Sequence, residues 1–215
     1  MKTQTLEKTK KMVTLALMCA LLLVMWLTPF GYLSVGVVEI TFNVIPVAIA
    51  AIAVGPVGGA VTGAFFGITS FLKCFGLGAG GGDAMGMALL QENPIAVFIL
   101  LVATRILAGF LSAYIFKAVR RFNSYVACCI TGFSSALLNT AFWSVAMAVL
   151  FNNSDTIRGW LGSGNLLILL IVAIGVNATV EAISSTILTG AVGTALIKSG
   201  FIKADIKKKA TAPEE

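Results

Sequence analysis

Apolar runs dominate this chain. Six of them, at approximately 12–28, 43–54, 56–75, 94–118, 126–151 and 165–198, follow one another with short polar interruptions. A helix of roughly 20 apolar residues crosses the hydrocarbon layer of about 30 Å, and in lipid every backbone polar group must be satisfied inside a helix or a closed barrel. The pattern therefore predicts an all-α integral membrane protein, a six-transmembrane-helix bundle. With 58% hydrophobic and 11% charged residues among 215, little chain is left for a soluble module. Residues 1–215 read as one membrane domain with short cytoplasmic tails at about 1–11 and 199–215. The N-terminus has a basic stretch and an apolar run, as a signal peptide does, but no small-x-small site follows Trp26, so it is expected to stay as the first helix.

The second run is too short to span upright. Gly55-Pro56 separates it from the third, and because proline disfavours helix at the preceding residue, the two should meet at a sharp turn. Lys2, Lys8, Lys10 and Lys11, then Lys117, Arg120 and Arg121, then Lys198, Lys203, Lys207, Lys208 and Lys209 all fall on one side of six crossings, while the other side receives only Lys73 and Arg158. The positive-inside rule then puts both termini in the cytoplasm. Three longer connections, Pro29 to Phe42, Phe75 to Asn93 and Asn152 to Gly164, are expected to face outward. The second of these holds Gly76 to Gly82, which matches GxGxxG formally but follows no strand, so it reads as a flexible loop.

The net charge of +6 sits at chain ends and in loops rather than in an aromatic-studded patch, which argues against nucleic acid. There is no histidine, and Cys19, Cys74, Cys128 and Cys129 form no CxxC pair, so neither a metal site nor a cofactor is expected. The chain carries no GxxxxGK[ST] loop, and uptake driven by ATP would need partner subunits. No cysteine–histidine pair or carboxylate dyad supports a membrane enzyme.

Small residues recur at four-residue spacing, as Ala16 and Ala20 in the first run and as Gly55, Gly59, Gly63 and Gly67 in the third. Such rows let backbones approach closely. Internal packing explains the glycines; the alanines, on an edge helix, could instead face another protein. Arg105 and Glu181 are the two charges that fall near mid-segment, where burial costs at least a few kcal/mol. They either pair with each other or meet a polar ligand. Asn177 lies one helical turn before Glu181, followed by Ser184, Ser185 and Thr189, while the fifth run supplies Ser134, Ser135, Asn139, Thr140 and Trp143. Such a convergence suits a small polar molecule, though single hydroxyls usually serve interhelical hydrogen bonds of about 0.6 kcal/mol.

Taken with Ile45-Pro46 through Gly55-Pro56 and Gly63-Ala-Phe-Phe-Gly67-Ile-Thr-Ser70, the Ala16-x-x-x-Ala20 pair resembles the substrate-binding S components of energy-coupling factor vitamin transporters, over nearly the whole chain. Leu138-Asn139-Thr140 and Asn177-Ala-Thr-Val-Glu181-Ala182 are similar to the group that carries pantothenate, cobalamin, or hydroxymethylpyrimidine and pyridoxine. The resemblance implies a six-helix subunit that captures a vitamin, pantothenate foremost, from outside. A transmembrane coupling subunit and two ATP-binding-cassette ATPases would power uptake. It implies substrate contacts from Arg105, Asn139, Trp143, Asn177 and Glu181, and a partner face at Ala16 and Ala20. Another vitamin of the same family, such as riboflavin, and a stand-alone secondary carrier are the alternatives. A carrier of that kind is often built from inverted repeats, and none is visible between the halves.

Overall fold

The structure, a computed structural model, describes residues 2–35, 38–79, 82–154, 157 and 166–202. Helix α1 (Lys2–Leu27) starts well before residue 12: the Lys- and Glu-containing stretch expected as a tail consists of good helix formers and continues the apolar helix without a break. The Pro29–Phe42 connection amends the all-α expectation. It holds two short strands, β1 (Tyr32–Val35) and β2 (Val38–Thr41), paired antiparallel with Tyr32 opposite Thr41 and Val35 opposite Val38. Tyr, Val, Ile and Thr in these strands favour a pleated surface over a helix.

Helix α2 (Val44–Ala53) has only ten residues, and every position from Val44 to Ile52 is buried. Being apolar all round, it belongs inside the bundle. It ends at Gly55, whose φ of 101° lies in a region that side chains disfavour, and Pro56 opens α3 (Pro56–Lys73) at once. The turn is as sharp as the Gly-Pro pair predicts.

The Phe75–Asn93 connection is more ordered than a flexible glycine loop. It contains helix α4 (Ala84–Glu92), which Asp83 caps by accepting a hydrogen bond from the Met85 N–H at 3.2 Å. Asn93 likewise caps α5 (Pro94–Val119) through the Ala96 N–H at 3.0 Å. Within α5, Ile99–Ala103 winds as a π-helix. Helices α6 (Ser124–Leu150) and α7 (Leu166–Lys198) follow. Arg158 and the C-terminal basic cluster from Lys203 onward lie outside the described residues, as does most of the Asn152–Gly164 connection.

Among the described residues, four helical stretches are long and apolar enough to cross a membrane: Leu6–Leu27, Pro94–Val119, Ser124–Leu150 and Asn177–Lys198. The remaining runs differ physically. With ten residues α2 is short, and the 18-residue α3 is diluted by glycines, threonines and Lys73.

Those glycines have a packing purpose. A Cβ on Gly59 would strike the backbone of Gly109, one on Gly63 the carbonyl of Arg105, and one on Gly67 the backbone of Leu101 and Val102. Three successive turns of α3 thus lie against α5 backbone to backbone, which is how helices associate where lipid supplies no hydrophobic drive. Gly132 of α6 approaches the Ser185 carbonyl of α7 in the same way, and the Ser185 hydroxyl donates to the Gly132 carbonyl at 2.9 Å. Gly63→Ala is therefore expected to cost about 1–3 kcal/mol by overpacking. Gly175→Ala, where a Cβ meets nothing within 4 Å, should be neutral or slightly stabilising. Thermal unfolding of the two variants in detergent checks the contrast.

Candidate functional site

A cavity of about 100 Å³ lies among the hairpin and helices α3 to α7. Room of that size holds several waters or part of a small polar molecule. Its walls set polar and charged side chains among apolar ones. From the hairpin come Tyr32 and Thr41; from the end of α3, Ser70 and Lys73; from the capped start of α4, Asp83 and Met85. Leu101 and Arg105 enter from α5, Asn139, Thr140 and Trp143 from α6, and Asn177 and Glu181 from α7. Arg105, Asn139, Trp143, Asn177 and Glu181, named from sequence, thus share one cavity.

Arg105 is 7% exposed. Its placement follows from the π turn, which shifts the face that the next residues present. The Thr104 hydroxyl donates to the Leu100 carbonyl at 2.5 Å and Arg105 Nη1 to the Leu101 carbonyl at 3.0 Å. The guanidinium stacks on Phe66 with its carbon 4.6 Å from the ring centre, a contact that holds a cation without neutralising it. Its Nε, buried, has no hydrogen-bond partner.

Glu181 is 3% exposed. Its Oε1 accepts two hydrogen bonds from Thr41, from the backbone N–H at 2.8 Å and from the hydroxyl at 3.1 Å. Asn139 stands beside the same carboxylate, yet Oε2 has no hydrogen-bond partner of good geometry. Arg105 and Glu181 feel each other's charge, but no ion pair joins them among the described residues. Of the two sequence readings, mutual neutralisation is the one that the geometry disfavours.

Lys73 adds to the expected site. The sequence reading makes Arg105 the one basic residue well inside the bundle, but Lys73, the last residue of α3, is 2% exposed and lines the cavity too. Its ammonium sits 4.0 Å from the centre of the Tyr32 ring, and Tyr32 Oη shares a 3.1 Å hydrogen bond with Ser70 Oγ. A lysine three residues after a serine on the last turn of an apolar helix is the only local signal, and nothing in it tells inward from outward.

The hydroxyls divide differently from the sequence grouping. Thr140 reaches the cavity, whereas Ser184 and Ser185 bond backbone carbonyls, and Ser134, Ser135 and Thr189 are not among the residues that line it. The Glu181–Thr41 bonds tie the hairpin to α7. Thr41→Val keeps the backbone donor and removes the hydroxyl, so it should lower stability by about 1–2 kcal/mol, read as a lower midpoint of thermal unfolding.

The chain is 29% identical over 200 residues, covering 89% of its own length and 94% of the relative's, to a protein of Leuconostoc mesenteroides described as pantothenate transporter PanT. The family described as "ECF transporter, substrate-specific component" matches residues 10–193. A match over most of the chain, on a bundle of apolar helices enclosing a polar cavity, leads to one conclusion: this protein belongs to the family of substrate-specific components of energy-coupling factor transporters.

Proposed function

We propose that this chain binds pantothenate from outside the cell as the substrate-specific subunit of an ATP-driven uptake system. Pantothenate carries a carboxylate at one end, an amide in the middle and two hydroxyls at the other. The observation that carries the reading is the pairing of buried cations with hydrogen-bonding groups in one cavity: Arg105 and Lys73 on one set of walls, Asn139, Asn177 and Glu181 on another. A guanidinium with a free N–H, already stacked on Phe66, suits a charge-assisted and bidentate contact to a carboxylate. The relative's description as a pantothenate transporter points the same way.

In this reading the chain crosses the cell membrane through six segments with both termini in the cytoplasm, α2 and α3 completing the bundle. The hairpin, α4 and the cavity face outward. A transmembrane coupling subunit and two ATP-binding-cassette ATPases power uptake. Ala16 and Ala20 are both exposed on α1, with Leu17 and Leu21 exposed beside them. Because Thr14, Met18 and Leu22 take the inward face, this small-residue face is free to receive the coupling subunit.

Arg105→Gln should weaken pantothenate binding about tenfold to a hundredfold, as roughly 1.5–3 kcal/mol for a hydrogen bond to a charged group implies. Pantothenol, which lacks the carboxylate, should lose much less; isothermal titration with both ligands checks this, and an equal loss would contradict the assignment. In proteoliposomes, the complete complex should accumulate pantothenate and the chain alone should not. Ala16→Trp with Ala20→Trp should abolish accumulation by the complex while leaving ligand affinity nearly unchanged.

A further inference from the structure

Glu181 divides its carboxylate between two surroundings. Oε1 is saturated by the Thr41 N–H and hydroxyl, which fixes the orientation of the whole group. Oε2 is buried in the cavity wall without a hydrogen-bond partner of good geometry, Asn139 standing beside the carboxylate. An ionised carboxylate accepts hydrogen bonds and donates none, and a buried acceptor left unmade costs the desolvation of that group. A group held rigidly by one oxygen, with the other open on a cavity, is a prearranged acceptor for a donor that arrives with a ligand.

The two buried cations that line the same cavity lie on other elements, Lys73 at the end of α3 and Arg105 on α5. The cavity thus offers cations and, at Glu181, an acceptor oxygen to the same ligand, with Asp83 as a further carboxylate on its wall. A second carboxylate or a phosphate at Oε2 would be repelled, whereas a hydroxyl would be drawn in by a charge-assisted hydrogen bond.

We propose that Glu181 Oε2 is the hydroxyl-selecting group of this site, and that the ligand class is a hydroxylated carboxylic acid whose anionic end lies toward Arg105 while a hydroxyl hydrogen-bonds Glu181. This rests on the pantothenate reading above and adds to it which residue reads the hydroxyl end. A site built to hydrogen-bond a hydroxyl discriminates strongly against an analogue lacking it, because its own polar group is then stranded.

The test compares pantothenate with the analogue in which both hydroxyls are replaced by hydrogen, titrated into the full-length protein in detergent. Wild type should prefer pantothenate by about a hundredfold, as a hydrogen bond to a charged group implies. Glu181→Gln keeps an oxygen for Thr41 but removes the charged acceptor, and the preference should shrink about tenfold or more. Ser185→Ala, which removes the bond to the Gly132 carbonyl away from the cavity, should leave the preference intact even if it lowers stability. Should Glu181→Gln fail to fold, Glu181→Asp, with its carboxylate withdrawn by one methylene, should show the same shrinkage. If Glu181 variants weaken both ligands by the same factor, or if Ser185→Ala erases the preference as they do, the effect is structural and this inference is overturned while pantothenate binding stands. Failure of wild type to bind pantothenate would overturn the functional reading, and this inference with it.

Discussion

The backbone-to-backbone contact of α3 with α5 carries the rest of the arrangement. Where Gly59, Gly63 and Gly67 meet Gly109, Arg105 and Val102, the two helices lie closer than any Cβ would permit. Close approach lets many weak dispersion contacts and carbonyl dipoles act together. It also sets positions. Arg105 contributes its carbonyl to this contact and its side chain to the cavity, while Lys73 sits at the end of the helix that carries the glycines. Two buried cations are thereby placed with the precision of a helix pair rather than that of a loop.

Charge inside a bilayer is expensive, and this protein offsets the expense in three different ways. Arg105 is stacked on an aromatic ring and bonded to a carbonyl of its own helix. Lys73 lies over the Tyr32 ring. Glu181 is anchored by the first connection of the chain. In none of these is the charge cancelled by direct pairing between Arg105 and Glu181. Arg105 and Glu181 each keep their place through partners that leave one polar atom unbonded, which is the arrangement expected where a polar ligand completes the set.

Much of this was legible in the sequence for a simple reason: lipid allows few alternatives. Apart from the early start of α1, apolar runs locate the helices they mark to within a few residues, and Gly55-Pro56 forces a turn wherever it occurs. Polar side chains inside such runs must converge somewhere, which is why Asn139, Trp143, Asn177 and Glu181 come together with Arg105. What was not legible depends on partners distant in sequence. Lys73 looks like a topology marker until Tyr32 is known to lie beside it, and the hairpin is a short β-branched stretch between two strong helical signals. Helix α4 has a cap at Asp83 and helix-favouring residues after it, but the glycine run before it dominates the local impression. The hydroxyls of Ser184 and Ser185 could not be told from Thr140 by type, because only their rotation about the helix axis separates carbonyl-bonded from cavity-facing groups.

The tie between Thr41 and Glu181 spans 140 positions of sequence. One part of the cavity thus leaves the ribosome 140 residues before the part it bonds. Contacts of such high sequence separation form late, since the loop between them must close first. No truncated product ending before α7 can present the complete cavity, and a nascent chain acquires both halves of the Thr41–Glu181 tie only when α7 has joined the bundle. Ligand binding in this architecture is therefore also a report that α7 is in place.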